Sequence, residues 1–187
     1  MEKFIRFIKT VQSFSPDAEK ALLAICSVRT YKKNTVVQPI GHTCKTIYFV
    51  NKGALRIYYF KEDVEITESF EFENSIVARA ESLFSGMPSR KAIQALEDSE
   101  LVAIDATRLV MLYDEFHEIE RLSRKMVEET YVKTVRRIES LQFFSPEERY
   151  HNLEKFQPDL LQRVPLKYIA SYLGITTVSL SRIRSRK

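Results

Sequence analysis

Residues 166–185 read LKYIASYLGITTVSLSRIRS, which is the pattern of a helix-turn-helix motif. Such a motif needs apolar side chains where its helices touch, a small residue where they cross, and a turn residue that tolerates a positive φ. Ala170 stands at the crossing and Gly174 at the turn. The apolar positions hold Ile169, Leu173, Ile175, Leu180 and Ile183. The stretch therefore predicts two short helices joined at Gly174.

The second helix of this motif is predicted to run from Thr177 to about Arg186, with Thr176 as its N-cap. In a helix-turn-helix protein the early part of this helix enters the major groove of DNA. Arg182 is the best candidate for base recognition, because a guanidinium can bond guanine O6 and N7 together, and Val178 is suited to a thymine methyl. The candidate DNA-binding residues are Lys167, Thr176, Thr177, Val178, Ser179, Ser181, Arg182, Arg184, Arg186 and Lys187. Among them Lys167, Arg184, Arg186 and Lys187 are expected to contact phosphates. The alternative is a helical hairpin used in protein assembly.

Charge is unevenly distributed along the chain. The formal net charge of the 187 residues is +4, yet six basic residues and no acidic ones follow Leu160, so residues 1–159 carry a net charge of −2. A basic end on a mildly acidic body favours contact with a polyanion. A solvated basic tail is the plainer alternative.

The residues between 35 and 104 show strand patterns. Candidate strands are 35–38, 45–50, 54–60, 64–72, 91–97 and 100–104, and Asn51-Lys52-Gly53 is interpreted as a hairpin turn. Short strands at this spacing predict an antiparallel sandwich or barrel of about 70 residues. Two helices are predicted before it, the second starting at Ser15-Pro16.

A long helix is predicted from Leu109 to Leu141, since this stretch has neither proline nor glycine. Its apolar stripe favours pairing with a second copy of the helix, and the candidate dimerisation residues are Leu122, Met126, Val127, Thr130, Ile138 and Leu141. The alternative is a helix that lies across its own β domain. Ser145-Pro146 with Glu148 predicts a capping box that begins the next helix. The expected domains are 1–108, 109–143 and 144–187.

This layout resembles the Crp/Fnr family of bacterial transcription regulators. The match is strongest over residues 164–176 and 179–184, and it extends to residues 81–89 and 94–98. The resemblance implies an α+β fold: an N-terminal double-stranded β-roll of the cyclic-nucleotide-binding type, a long dimerisation helix, and a C-terminal helix-turn-helix domain. It implies a homodimer on a palindromic operator, base contact by Arg182, and RNA polymerase as a further partner. Val178 stands where the family often has glutamate, which leaves the operator sequence open.

The same resemblance points to a candidate effector site. Glu81 and Arg90 match the family's ligand-binding glutamate and arginine, but Ala80 and Lys91 replace the usual glycine and serine. The candidate effector-binding residues are Glu81, Ser82, Arg90, Lys91 and Thr134. Cyclic AMP is not the expected ligand, and the alternative is that Glu81 and Arg90 form a structural ion pair or lie apart on the surface.

Several function classes are disfavoured by composition. With 44% hydrophobic and 29% charged residues the chain can build a core, so disorder is excluded as its main state. Two cysteines and three scattered histidines offer no metal-ligand spacing, and no motif of an enzyme class is present, so no cofactor and no catalysis are expected.

No apolar run is long enough to span a membrane, which favours the cytoplasm. A dimeric ligand-binding or protein-interaction module with a basic helical tail is the alternative function.

Overall fold

Two four-stranded antiparallel sheets form the N-terminal half of the protein, seen in a computed structural model that describes residues 1–185. The strands are β1 Cys26–Tyr31, β2 Val36–Gln38, β3 Thr46–Lys52, β4 Leu55–Lys61, β5 Val64–Glu71, β6 Ile76–Val77, β7 Ala92–Ala95 and β8 Ser99–Asp105. One sheet has the order β1-β8-β3-β6 and the other the order β2-β7-β4-β5. Buried apolar side chains from both sheets pack together between them, which confirms the predicted antiparallel sandwich.

Helices flank the sheets and continue the chain beyond them. They are α1 Glu2–Val11, α2 Pro16–Ala24, α3 Ala80–Ser85, α4 Ala106–Met111, α5 His117–Phe143, α6 Pro146–Phe156, α7 Pro158–Arg163, α8 Leu166–Leu173 and α9 Thr177–Ser185. A second core lies between α1, α2, α4, α5 and the outer side of the first sheet. A third core joins the C-terminal helices to Ala54 and Leu96 of the β domain. The C-terminal domain is therefore packed on the chain's own β domain.

Two strands were not predicted. β1 is an edge strand whose central residues are exposed, so burial imposes no alternation on its sequence. β6 has only two residues, too few to carry a period. The six predicted strands are all present with bounds shifted by a few residues.

The predicted hairpin at Asn51-Lys52-Gly53 is wrong. β3 and β4 lie in different sheets, so this turn carries the chain from one sheet to the other. Gly53 does have the positive φ expected, +107°, and a Cβ there would lie 2.2 Å from Ser99 Oγ. The true hairpin joins β4 to β5 through Glu62 and Asp63, which both adopt positive φ.

The predicted continuous helix from Leu109 is also wrong, because α4 ends at Met111 and α5 begins only at His117. Phe116, the N-cap of α5, is extended with φ −134° and ψ 94°. Leu112, Tyr113 and Phe116 pack against the core formed with α1 and α2. Burial of these side chains requires the chain to turn, and this tertiary packing overrides the helical propensity of the sequence.

The two predicted helix starts are confirmed by their caps. Ser15 Oγ accepts a hydrogen bond from the Ala18 amide at 3.2 Å. At α6, the Ser145 amide donates to Glu148 at 2.8 Å while the Glu148 amide donates to Ser145 Oγ at 3.3 Å. The reciprocal pair separates α6 from α5, since capping fixes where a helix begins.

Candidate nucleic-acid interface

The C-terminal helices α8 and α9 form the predicted helix-turn-helix pair. Gly174 links them with φ +71°, in the left-handed region that a residue with a Cβ rarely adopts. The Ile175 amide donates to the Ala170 carbonyl at 3.0 Å, which closes the end of α8. The helices touch through buried side chains at the predicted positions, namely Ile169, Ala170, Leu173 and Leu180, with Ile175 and Ile183 at the margin.

Thr176 caps α9 as predicted. Its Oγ1 accepts a hydrogen bond from the Ser179 amide at 3.1 Å, and the two hydroxyls lie 3.0 Å apart. Ser179 is half-buried and is engaged in this cap. Its side chain therefore stabilises the start of α9 and is less available for a base contact than the sequence suggested.

One face of α9 is open to solvent. Thr177, Val178, Ser181, Arg182 and Ser185 are all exposed, and their spacing places them together on the side opposite Leu180. Val178 has 60% of its surface exposed, although it is apolar. The side chains predicted to read DNA therefore share one accessible helix face.

The basic residues around this face have different surroundings. Arg182, Arg184 and Lys167 are exposed, and no ion pair within residues 1–185 engages them. Lys167 lies at the start of α8, where its Nζ is 4.7 Å from the centroid of the Tyr168 ring. Arg186 and Lys187, the other predicted phosphate contacts, lie outside the described residues.

The opposite face of α8 docks on strand β5, which the sequence did not predict. Ser171 Oγ accepts a hydrogen bond from the Thr67 amide at 2.9 Å and donates to the Glu65 carbonyl at 3.1 Å. β5 is the edge of its sheet, so the hydroxyl satisfies backbone groups that no strand pairs. Beside it, the rings of Tyr172 and Phe70 lie 5.3 Å apart.

Arg56 of β4 connects the same helix to the interior of the β domain. Only 1% of its surface is exposed, and its guanidinium lies between the rings of Tyr58 and Tyr168, at 4.3 and 3.7 Å from their centroids. Its charge is balanced by Glu65 at 2.8 Å, and its Nε donates to Gln94 at 2.8 Å. A buried arginine thus joins the two domains with its charge and hydrogen bonds satisfied.

Arg163, one of the six basic residues near the C-terminus, is used inside the protein. It donates two hydrogen bonds of 2.9 Å to the Glu73 carboxylate and also pairs with Glu97. The Arg163 guanidinium lowers the pKa of Glu73 to about 2. Helix α7 is therefore tied to the β domain, and Arg163 is not free for a phosphate.

A helical-wheel examination of α8 could have found part of this docking surface. Tyr168, Ser171 and Tyr172 have i, i+3 and i+4 spacing on the face that does not meet α9. Arg56 carried no such signal, because an arginine on a strand is ordinarily exposed.

The predicted effector residues are not brought together as a site. Glu81 and Arg90 are exposed, and no ion pair joins them in the described part of the chain. Ser82 is buried, accepts a hydrogen bond from the Cys44 amide at 2.9 Å and donates to the Met87 carbonyl. Thr134 is exposed and donates back to the Thr130 carbonyl at 2.9 Å.

Two cations near this region, Arg79 and Lys91, face the carboxylate of Glu68. Glu68 pairs with Lys91, and it lies 3.8 Å from Arg79. Desolvation raises the pKa of the neighbouring Glu71. Lys91 therefore has a carboxylate partner within the chain, whereas burial favours the neutral form of Glu71.

The predicted dimerisation residues divide into two groups along α5. Leu122 is 7% exposed and belongs to the core shared with α1 and α2, and Met126 packs against that core. The assignment of Leu122 to a dimer interface is therefore wrong, because its side chain is buried in the core of its own chain. Further along, Val127, Ile138 and Leu141 are exposed together with the polar Thr130.

Comparison with known proteins agrees with this architecture. Residues 28–116 match the family model of the cyclic nucleotide-binding domain. FixK2 of Bradyrhizobium japonicum superposes with a TM-score of 0.72 at 19% identity, covering 87% of this chain and 84% of its own. A regulator from Eubacterium rectale assigned to the Crp/Fnr family superposes at 0.74 with 17% identity, covering 91% and 82%.

The chain has the Crp/Fnr regulator fold. CLP of Xanthomonas campestris, described as a c-di-GMP-responsive global regulator, shares it with a TM-score of 0.72 and 19% identity over 92% of this chain and 91% of its own. No curated protein matches the sequence. The resemblance read from the sequence is thus confirmed in the Crp/Fnr fold, and the β-roll, long helix and C-terminal helices occur in the expected order.

Residues 1–185 contain neither a metal-binding cluster nor a membrane-spanning helix. No group of three histidine, cysteine, aspartate or glutamate side chains there could hold a metal ion. Nor is any described helix both long and apolar enough to cross a membrane.

Proposed function

We propose that this Crp/Fnr-type protein is a sequence-specific DNA-binding transcription regulator that acts as a homodimer. The observation that carries the proposal is the exposed face of α9, where Val178, Ser181 and Arg182 lie together and no side chain within residues 1–185 covers them. A helix with this face and a second helix packed behind it fits the major groove. Arg182 supplies a bidentate donor for guanine, and Val178 an apolar contact for thymine.

Dimerisation is proposed to use the distal part of α5. Val127, Tyr131, Val132, Ile138 and Leu141 expose between 44% and 69% of their surface, although all are apolar or aromatic. A second copy of the helix would cover them, because an apolar stripe along a helix is stabilised when it is buried against a partner. Two copies of α9 would then be placed to bind half-sites about one turn of DNA apart.

The effector proposed for this protein is not cyclic AMP. The phosphate of cyclic AMP carries a negative charge, while Lys91, the neighbour of Arg90 in the chain, faces the carboxylate of Glu68. Glu68 engages Lys91, which would otherwise be available to an anion. An anion that displaced Glu68 from Lys91 would therefore have to compete with a carboxylate already in place.

Selection of bound sequences from a random duplex pool tests the proposal, carried out with the full chain at two salt concentrations. We expect a palindrome whose half-sites are one helical turn apart, retained at the higher salt. A non-specific polyanion contact would give no motif and would weaken steeply as salt rises. That result would favour the alternative function, a protein-interaction module, over a DNA-binding regulator.

A further inference from the structure

A small cleft lies at the junction of α5, α6 and α8, away from the exposed face of α9. Its volume is about 150 Å³, several times the roughly 30 Å³ that a water molecule occupies in the liquid. The walls contain two arginines, Arg137 from α5 and Arg149 from α6. The other lining residues are Ser140, Asn152, Leu153, Phe156, Gln157 and Tyr172.

Within the described part of the chain, the guanidiniums of Arg137 and Arg149 contact neutral groups. Arg149 is 9% exposed and donates to the carbonyls of Phe144 and Leu173, at 2.6 and 2.7 Å. Arg137 donates to the Tyr172 carbonyl at 2.5 Å and lies 3.7 Å from the centroid of that ring. Within residues 1–185 neither arginine forms an ion pair, whereas Arg56 and Arg163 each do.

The Nε atom of Arg149 is buried and has no hydrogen-bond partner among the described residues. A buried, unsatisfied donor on a charged group is costly, because the lost hydration is not replaced. Desolvation and the charge of Arg149 together lower the pKa of Arg137. Nε is itself closed to solvent, so a group in the cleft would act on the charge of Arg149 and on the outer N–H groups of its guanidinium. Two neighbouring positive charges that no carboxylate within residues 1–185 neutralises favour a compensating anion.

The C-terminal ends of two helices offset only part of the positive charge of Arg137 and Arg149. The accepting carbonyls lie at the C-terminal ends of α5 and α8, and each helix end carries roughly half a negative charge. Two ends therefore offset roughly one of the two positive charges. Glu68 contributes at longer range, but its carboxylate is engaged by Lys91.

We propose that this cleft binds a small oxyanion of the phosphate type, held by Arg137 and Arg149. A planar guanidinium suits such an anion, because its donors match the spacing of phosphate oxygens. Asn152 and Gln157 add neutral polar groups at the wall, and the Tyr172 ring closes one side. The bound anion would contact the long helix and both neighbouring helices of the C-terminal domain, so it would stabilise their relative position.

The test is calorimetric titration of the full chain with inorganic phosphate, without DNA, in chloride buffer of matched ionic strength. Arg137→Gln removes one of the charges at the wall. Asn152→Asp places a carboxylate in the cleft without changing side-chain size, and it leaves Arg149 and the carbonyls it caps intact. Gln162→Glu is the matched control, because it adds the same charge at an exposed position of α7 outside the cleft.

We expect the natural chain to bind phosphate and to unfold at a higher temperature in its presence. Arg137→Gln and Asn152→Asp should each weaken phosphate binding at least tenfold, with Gln162→Glu within about twofold of the natural chain. No phosphate binding beyond the chloride control, or equal binding by all variants, would overturn the proposal. A third outcome would also overturn it: the natural chain does not bind phosphate without DNA, and Arg137→Gln loses DNA affinity. Arg137 would then be a contact to the DNA backbone. Because the titration contains no DNA, its result is independent of the proposed regulatory function.

Discussion

The guanidinium of Arg56 lies 3.7 Å from the centroid of the Tyr168 ring, and this contact joins the β domain to the first helix of the helix-turn-helix pair. Arg56 is buried, and Glu65 balances its charge. A desolvated cation–π contact contributes about 2 kcal/mol, more than an exposed ion pair. The position of the C-terminal domain is therefore set by a specific buried contact, and any rearrangement of the two domains must break or move it.

Tyr168→Ala should lower the free energy of unfolding by about 1–3 kcal/mol, since it removes both the ring and its contact with Arg56. Urea denaturation of the full chain measures the change. Hydrogen exchange of the Thr67 amide should also accelerate, because α8 would hold β5 less firmly. Tyr168→Phe is the matched control and should stay within about 0.5 kcal/mol of the natural chain. An equal loss in both variants would show that the hydroxyl, and not the ring, makes the important contact.

The pair of Arg163 and Glu73 predicts a stability that falls in acid. The folded-state pKa of Glu73 is about 2, lower than its ordinary value of 4.5. A lowered pKa means that the contribution is complete above pH 4.5 and is lost as the pH falls toward 2. Because the pair is about a quarter exposed, we expect a contribution on the order of 1 kcal/mol after solvent screening.

Glu73→Gln should be less stable than the natural chain at pH 6, with the difference shrinking toward pH 2.5. Thermal unfolding across this range measures it. Glu120→Gln is a matched control, because Glu120 is exposed on α5 and no ion pair within residues 1–185 engages it. A difference between Glu73→Gln and the natural chain that stays constant with pH would contradict the assignment.

Arg182→Ala should cost about 1–3 kcal/mol on the selected operator and relax the base preference at one position of each half-site. Arg184→Ala changes the same residue type two positions along the helix, and it should weaken binding similarly on all sequences. Competition binding with single-base variants of the operator distinguishes the two. A uniform loss for Arg182→Ala would make Arg182 a phosphate contact.

Leu122→Ala should weaken folding, whereas Ile138→Glu should weaken dimerisation. Leu122 is buried within the chain, so its truncation should cost about 2–5 kcal/mol of folding stability without weakening the dimer directly. Ile138 is 49% exposed, so a charge there should leave the fold intact and weaken the dimer at least tenfold. Sedimentation and denaturation of both variants measure the two quantities. A dimer unaffected by Ile138→Glu would place the interface elsewhere.

The elements predicted most accurately are those whose local chemistry permits one structure. Gly174 needs its left-handed conformation, Ser145 and Glu148 cap each other, and the apolar positions of α8 and α9 match a single packing. The candidate DNA-binding face follows from the same periodicity, since Leu180 fixes which side of α9 is buried. These features depend on residues close together in sequence.

The predictions that were wrong concern segments whose structure depends on contacts with residues distant in the sequence. The turn at Gly53 could join paired strands or carry the chain between sheets, and only the pairing of β4 with β5 and β7 decides this. The stretch from Leu112 to Phe116 could continue a helix, but its side chains Leu112, Tyr113 and Phe116 pack against the core formed with α1 and α2, and α4 ends before them. Leu122 is buried in this same core, so it is not available to a second copy of the chain.

Local propensity and periodicity thus specify the order of most helices and strands, the turn at Gly174 and the side of α9 that is exposed. Tertiary structure alone decided that α8 docks on β5, that Arg163 is neutralised by Glu73, and that Arg137 and Arg149 meet in one cleft. The physical reason is that an isolated charge in a sequence has no defined environment. Its partner, its burial and hence its role are set only when residues distant in the chain are folded against it.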